Sequence, residues 1–250
     1  MRHYVTYIVL LLIKAISRLF WRFEVGWVGG RPRGPWWKDI TICAILHHTS
    51  LYELILASSV PRGFLWRIAS KGVVPVADKT LKRPLVGRLF RLAAGNVVSI
   101  TRRRDDSWSE VLEKVSGDVM MVILPEGRMM RANGLDASGQ PMTVRGGIAD
   151  LVEAVPAGNM LMAYSGGLHH VQVPGQTFPR LWKTVRINFQ LIPVAEYRQA
   201  MGYGGERREF RANVVADMER LRDRYCPTDQ NPAAREIAAG RATEVPETNG

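Results

Sequence analysis

The sequence predicts a single α/β domain: a mostly parallel mixed sheet flanked by helices, with an apolar helix ahead of it. Three observations lead there. Apolar runs at residues 40–46, 73–77, 119–124, 160–164 and 185–192 have strand length and no helical period, as strands covered on both faces do. Segments of helical length or helical period separate several of them, the alternation of a βα chain. The chain has 250 residues and 46% hydrophobic content, enough for one domain with a full core.

The elements follow in order. Residues 4–13 read YVTYIVLLLI and are followed by Lys14, Arg18 and Arg22. A spanning helix needs about 20 apolar residues, roughly twice this run, and no small-residue cleavage pattern follows it. Apolar residues at 8–13 cover all sides of a helix, and Phe20, Trp21, Phe23, Trp27, Trp36 and Trp37 come next among Lys and Arg. Aromatic and basic residues together favour a lipid interface. Residues 1–22 therefore read as a helix in or on a membrane surface; the competing reading is an amphipathic helix docked on the core. Residues 29–35 (GGRPRGP) form a loop, so 1–38 is expected to be a membrane-associating helix and loop.

The main domain is expected over 39–226. Strand 40–46 leads through His47-His48-Thr49-Ser50 into a helix from Leu51, ended by Pro61 and Gly63. Further strands are expected at 73–77, 96–101 and 119–124, with helices at 85–93 and 108–115 between them. A polar loop occupies 131–141, a helix 146–154, and the last strands 160–164 and 185–192. Residues 206–225 carry Phe210, Val214, Met218, Leu221 and Tyr225 at helical spacing. The tail, 227–250, is poor in large apolar residues and is expected to be disordered.

The formal net charge is +11, so an anionic partner is expected. Between Arg62 and Arg104 eleven Lys and Arg face one carboxylate, Asp78, which concentrates nearly all of the excess there. Phospholipid headgroups, a phosphorylated substrate, coenzyme A and nucleic acid all fit that charge. No nucleic-acid reader motif, phosphate-binding glycine loop or dinucleotide fingerprint is present. Cys43 and Cys226 form no disulfide framework and match no metal-ligand spacing. His169 and His170 lack a nearby carboxylate or thiol at ligand spacing, and Ser165 lacks a Gly-x-Ser-x-Gly setting.

The residues that carry chemistry begin at His47-His48-Thr49-Ser50-Leu51-Tyr52-Glu53. On one continuous helix His48 and Glu53 would lie about 140° apart. If His48 stands in the turn and Glu53 in the first turn of the helix, the carboxylate can hold one imidazole nitrogen and leave the other as a base. The plainer reading is a capping box, Ser50-x-x-Glu53, which needs no catalysis.

Three motifs in order shift that balance. HHTSLYE at 47–53 resembles the His-x4-acid motif of the glycerolipid acyltransferase family, with Glu53 in the acidic place and His47 where asparagine is usual. The segment PVADKTLKRPLVGRLFRLAAGNVVSITR puts Lys79, Pro84, Gly87, Gly95 and Arg102 in register with the family's second block. Pro125-Glu126-Gly127-Arg128, after the strand VMMVIL, resembles its Pro-Glu-Gly-Thr-Arg motif, with the threonine missing and the arginine one residue early. Arg145, in TVRGG, resembles the basic residue that follows. The proline-centred fourth motif has no counterpart in place.

The resemblance implies an O-acyltransferase, moving a fatty acyl group from an acyl thioester to the free hydroxyl of a lysophospholipid, in the first instance lysophosphatidic acid. It implies His48 as general base oriented by Glu53, and Arg102, Glu126, Gly127, Arg128, Lys79 and Arg145 as substrate-binding. No metal or resident cofactor is implied; acyl-CoA or acyl carrier protein enters as co-substrate. The chain is expected at a membrane, on its cytoplasmic face, with phospholipids and not nucleic acid as partners. A lyso-lipid with another headgroup is the alternative acceptor. A catalytically degenerate membrane-binding homologue is the alternative protein.

Overall fold

The computed structural model describes residues 1–101, 107–115, 118–173, 176 and 178–246. Among these, seven strands form one sheet: β1 (Arg22–Trp27), β2 (Ile40–Leu46), β3 (Gly72–Ala77), β4 (Asn96–Ile100), β5 (Met120–Ile123), β6 (Asn159–Ser165) and β7 (Thr184–Pro193). Their order across the sheet is β1-β7-β6-β2-β5-β3-β4. Strands β2 to β6 run parallel to their sheet neighbours among themselves, β7 runs antiparallel to β6, and β1 runs parallel to β7. This is the mostly parallel mixed sheet that the apolar runs predict.

Helices cover both faces because side chains alternate along each strand. Ile42, Ala44, Met121, Ile123, Met160 and Met162 face one side. There α6 (Gly147–Ala154), α7 (Val194–Ala200) and α8 (Arg207–Tyr225) pack on them, with Ile148, Leu151, Val214 and Met218 fully buried. Cys43, Val74, Val76, Val122, Leu161 and Ala163 face the other side. That side is covered by α1 (Arg2–Phe20), a 3-10 helix at Leu51–Ser59, α2 (Arg62–Lys71) and α4 (Pro84–Ala93). Short helices α3 (Asp78–Leu81) and α5 (Ser107–Glu113) follow β3 and precede β5.

Several expectations are corrected. The stretch 1–38 is more than helix and loop, because Arg22–Trp27 is an edge strand in register with β7. Its charged residues hid it: an edge strand exposes part of its side chains, so the apolar run is interrupted. The helix from Leu51 ends just before Pro61, at Ser59, but Gly63 is no part of that stop: Pro61 is the N-cap of the next helix, α2, and Gly63 lies inside it. Proline is tolerated at a helix start, and Gly63 suits the close approach of Trp37, whose Nε1 would lie 2.4 Å from an added Cβ. The segment after Ser50 winds as a 3-10 helix, not an α-helix.

The tail is also corrected. Residues 232–238 form α9 (Pro232–Ala238), with Asn231 capping Ala234 N at 3.1 Å and Pro232 in the first turn. Ala234 and Ile237 are fully buried. The helix seats directly on Gly26 of β1, where an added Cβ would stand 2.1 Å from the Ile237 carbonyl. Asn188 of β7, itself buried, donates from Nδ2 to the carbonyls of Tyr225 at 2.9 Å and Ala234 at 2.8 Å. Small side chains and one isoleucine suffice here because the backbones come so close.

Helix α1 turns its polar residues inward. Thr6, Lys14 and Ser17 are buried, while Val5, Ile8, Leu12, Ile16 and Leu19 are half or more exposed. Lys14 Nζ donates to the carbonyls of Ser58 at 2.8 Å and Val60 at 2.6 Å, and Arg18 reaches Ser58 O at 3.2 Å. These bonds fasten α1 to the end of the 3-10 helix. Desolvation, with Arg18 and Arg62 nearby, lowers the Lys14 pKa to about 8.

Candidate active site

Parallel α/β sheets place ligands beyond the carboxyl ends of their strands. The sequence motifs converge at that edge. His47 and His48 follow β2, Pro125–Arg128 follow β5, Lys79 follows β3 and Thr101 follows β4. Because β2 pairs with β5 (Ala44 beside Ile123), the loops leaving them are neighbours despite nearly eighty residues between them.

His48 and Glu53 meet. His48 Nδ1 is hydrogen-bonded to Glu53 Oε2, and Glu53 Oε1 accepts from Thr49 N at 2.8 Å. One carboxylate therefore holds the imidazole and also accepts the amide of Thr49, one residue ahead of the N-cap Ser50, so the reciprocal Ser50–Glu53 box read from the sequence is replaced by a looser cap. Ser50 accepts from Tyr52 N at 3.2 Å and donates to Gln172 Oε1 at 2.7 Å, completing the cap. The tighter 3-10 winding brings Glu53 under His48. Burial lowers the His48 pKa, but the Glu53 charge, the Glu53 hydrogen bond and the Glu126 charge outweigh it, so the net shift is upward from 6.5.

His47 makes the bend. It adopts φ +67°, a left-handed conformation that histidine and asparagine enter more readily than most residues. Its Nδ1 meets Ser165 O at 3.0 Å. Burial lowers its pKa, against the Ser165 hydrogen bond and the Glu53 charge.

Glu126 is corrected. It was expected among the substrate-binding residues, but its side chain is fully buried and is not on the cavity wall. Its Oε2 accepts from His48 N at 2.7 Å and its Oε1 from His47 N at 3.2 Å. Burial raises its pKa, opposed by the His48 amide, the Arg222 charge and the His47 amide. Glu126 therefore supports the histidine loop from beneath. Gly127, at φ +59°, reverses the chain above it.

A cavity of about 990 Å³ opens at this edge, at the upper end of the range for small-molecule sites. Its depth lies between the sheet and the α1, 3-10, α2 and α4 layer, lined by Leu56, Phe64, Val76, Phe90, Leu161 and Phe189 among others. His48 and Glu53 are on its wall, with Lys79, Gly127, Arg128 and Arg145. Arg128 is ion-paired with Asp136, whose carboxylate also accepts from Gln140 N at 3.0 Å and from Ser138 N at 2.8 Å. The Gln140 hydrogen bond leads the causes that hold the Asp136 pKa below its ordinary value. Arg102 lies outside the described residues; Thr101 beside it lines the cavity.

Three lining residues escaped the sequence reading. Arg211 of α8 is ion-paired with Asp150 of α6, and Trp108 Nε1 donates to Asp150 at 3.2 Å. A capping or charge pattern does not reveal them, because they meet only through tertiary packing. Cys43 also lines the cavity, and burial pushes its thiol up to about 12, an inert group. Among the described residues no group of three or more His, Cys, Asp or Glu is placed to hold a metal. His169 and His170 instead face the carbonyls of Met130 at 2.9 Å and Thr184 at 2.7 Å.

No family model matches the chain, and no curated protein matches it significantly. Among solved structures the chain is similar to the 1-acyl-sn-glycerophosphate (LPA) acyltransferase PlsC from Thermotoga maritima, with a TM-score of 0.52 and 17% identity over 90% of this chain and 82% of that one. At that identity the likeness is one of fold: the chain shares the single α/β domain, its mixed sheet and its flanking helices with that acyltransferase.

Proposed function

We propose that this protein is a membrane-associated O-acyltransferase that moves a fatty acyl group from an acyl thioester to the hydroxyl of a lysophospholipid. The observation that carries the reading is the His48–Glu53 pair on the wall of a deep, mainly apolar cavity that Arg128 and Arg145 also line. The likeness of fold to an LPA acyltransferase supports it.

The chemistry follows from the geometry. Glu53 occupies His48 Nδ1, so Nε2 is the nitrogen that takes a proton. Nε2 removes the proton of the acceptor hydroxyl as its oxygen attacks the thioester carbonyl carbon. The tetrahedral intermediate collapses with cleavage of the C–S bond, and the imidazolium returns the proton to the departing thiolate. The products are an ester and a free thiol, without an acyl-enzyme. The positive charge that forms on His48 is stabilised by Glu53 and Glu126. The apolar depth suits the acyl chain. Guanidinium groups at Arg128 and Arg145, with Arg102 from the motif, suit the acceptor phosphate; the acceptor they fit first is lysophosphatidic acid, giving phosphatidic acid. Gly127 brings backbone close to the reacting groups, and Lys79 faces headgroups at the cavity edge. Acyl-CoA and acyl carrier protein are both candidate donors.

Helix α1 supports the membrane assignment. A docked helix of a soluble protein hides its apolar stripe, whereas here Val5, Ile8, Leu12, Ile16 and Leu19 face outward at helical spacing. By length and composition α1 is also long and apolar enough to cross a bilayer. Its Lys14 and Arg18 bonds to the domain favour a helix lying on the membrane; the cytoplasmic face is proposed for it because the candidate donors, acyl-CoA and acyl carrier protein, are soluble cytoplasmic thioesters.

The test is product identification. Purified protein in detergent or vesicles is given labelled acyl-CoA or acyl carrier protein with lysophosphatidic acid and with lyso-lipids of other headgroups. A diacyl product with the phosphate acceptor supports the reading; product only with another headgroup reassigns the acceptor; no thioester turnover with any pair removes the enzyme.

A further inference from the structure

The C-terminal part of the chain carries none of the motifs above, yet one face of α8 holds two of the loops that build the site. Arg222 Nη1 lies 3.5 Å from Glu126 Oε1 and donates to Met142 O at 3.2 Å. One turn earlier Glu219 accepts from Val144 N at 2.8 Å. Arg211, three turns before Arg222 and so on the same side of the helix, pairs with Asp150. The loops are also tied to each other, by Arg145 N to Pro125 O at 2.8 Å and Met130 N to His48 O at 2.7 Å.

Glu126 is the pivot. Its carboxylate receives the amides of both His47 and His48, and His47 is in a left-handed bend that persists only with outside support. A carboxylate with no exposure depends on hydrogen bonds and an accompanying cation to stay ionised. Arg222, with a side chain 14% exposed, is the guanidinium in contact. We propose that Arg222 is a positioning residue for His48, acting through Glu126 to hold the histidine loop.

This rests on the reading of His48 as the base for its kinetic consequence, but its electrostatic consequence stands by itself. The groups facing Glu126 are His47 and His48 from the β2 loop, and Arg222 and the buried Cys226 thiol from the end of α8. Those facing His48 are Glu53 and Glu126; those facing Arg222 are Glu126, Asp223, Glu219 and His47. Without Arg222, one of the interactions that oppose burial is lost, so the Glu126 pKa rises further and the carboxyl takes a proton more readily. The neutral acid then no longer raises the His48 pKa.

The experiment is an NMR titration of the His48 imidazole in histidine-labelled protein, assigned with His48→Gln. It compares wild type with Glu126→Gln, Arg222→Met, Arg222→Lys and Arg220→Met, an exposed arginine on the same helix. The His48 titration moves to lower pH in Glu126→Gln and Arg222→Met, returns towards wild type in Arg222→Lys, and stays put in Arg220→Met. Arg222→Gln replaces Arg222→Met if the latter does not fold. An unchanged or raised His48 titration in the uncharged Arg222 variants overturns the proposal. In the kinetic arm, Arg222→Met lowers kcat on the order of 10- to 100-fold with little change in acceptor KM. A change confined to KM overturns the proposal as well. If the wild type transfers no acyl group, the functional reading fails, while the titration still decides whether Arg222 acts on His48.

Discussion

At the scale of single residues, the account turns on which protonation state of His48 works. The base must be neutral, so transfer rises with pH as the imidazolium loses its proton. The Glu53 and Glu126 carboxylates raise the His48 pKa above 6.5 against the effect of burial. The acid limb of kcat/KM against pH therefore falls above pH 6.5. Replacing Glu53 by Gln removes one raising charge, so the limb moves to lower pH while the maximal rate drops on the order of 10²- to 10⁴-fold. A pH–rate profile of the two proteins measures both effects. Arg145→Ala is expected to raise KM for a phosphate-bearing acceptor more than it lowers kcat, because its proposed part is to hold the phosphate and not to move the proton; initial rates across acceptor concentration test it. Residue types and order were enough to nominate His48, Glu53 and Arg128. The direction a side chain points was not legible: Glu126 has the same neighbours in sequence as a ligand would, and only the packing of β5 beside β2 turns it beneath the histidine loop. His47 shows the converse. It stands where asparagine is usual in the motif, and it adopts a left-handed bend that both residue types enter more readily than most.

At the scale of elements, legibility followed burial. Strands β2, β5 and β6 are covered on both faces and stand out as apolar runs. The edge strand β1 and the tail helix α9 do not, since one carries Arg22 and Glu24 and the other is built mainly from small residues. Both depend on close backbone approach. Ile237→Ala is expected to destabilise the fold by about 2–5 kcal/mol, as removal of a fully buried branched side chain does. Gly26→Ala is expected to displace α9, because its Cβ would meet the Ile237 carbonyl at 2.1 Å. Urea unfolding reads the first as a lower midpoint at constant slope, and amide exchange over residues 232–238 reads the second. Helix α1 makes a different kind of prediction. The double variant Leu12→Glu and Ile16→Glu leaves the fold intact, since both side chains face outward, and it abolishes co-flotation with anionic vesicles. Retained flotation would detach α1 from the membrane role.

At the scale of the whole molecule, the fold divides labour between the two sides of one sheet. The α1, 3-10, α2 and α4 side encloses the apolar cavity and presents the outward stripe of α1. The α6, α7 and α8 side forms a close-packed core and holds the loops of the site. Arg62, Arg67, Lys71, Arg88 and Arg91 of the basic block are on α2 and α4, elements of the first side, so much of the charge shares a half of the molecule with the apolar stripe and the cavity. That arrangement suits a protein that draws one substrate from a bilayer and works on it at the strand ends. The most direct measurement is acyl transfer from labelled long-chain acyl-CoA to lysophosphatidic acid by wild type and by His48→Ala, with circular dichroism confirming that both are folded. Transfer by the wild type that disappears in folded His48→Ala is the predicted result; transfer that survives the loss of His48 would contradict the account.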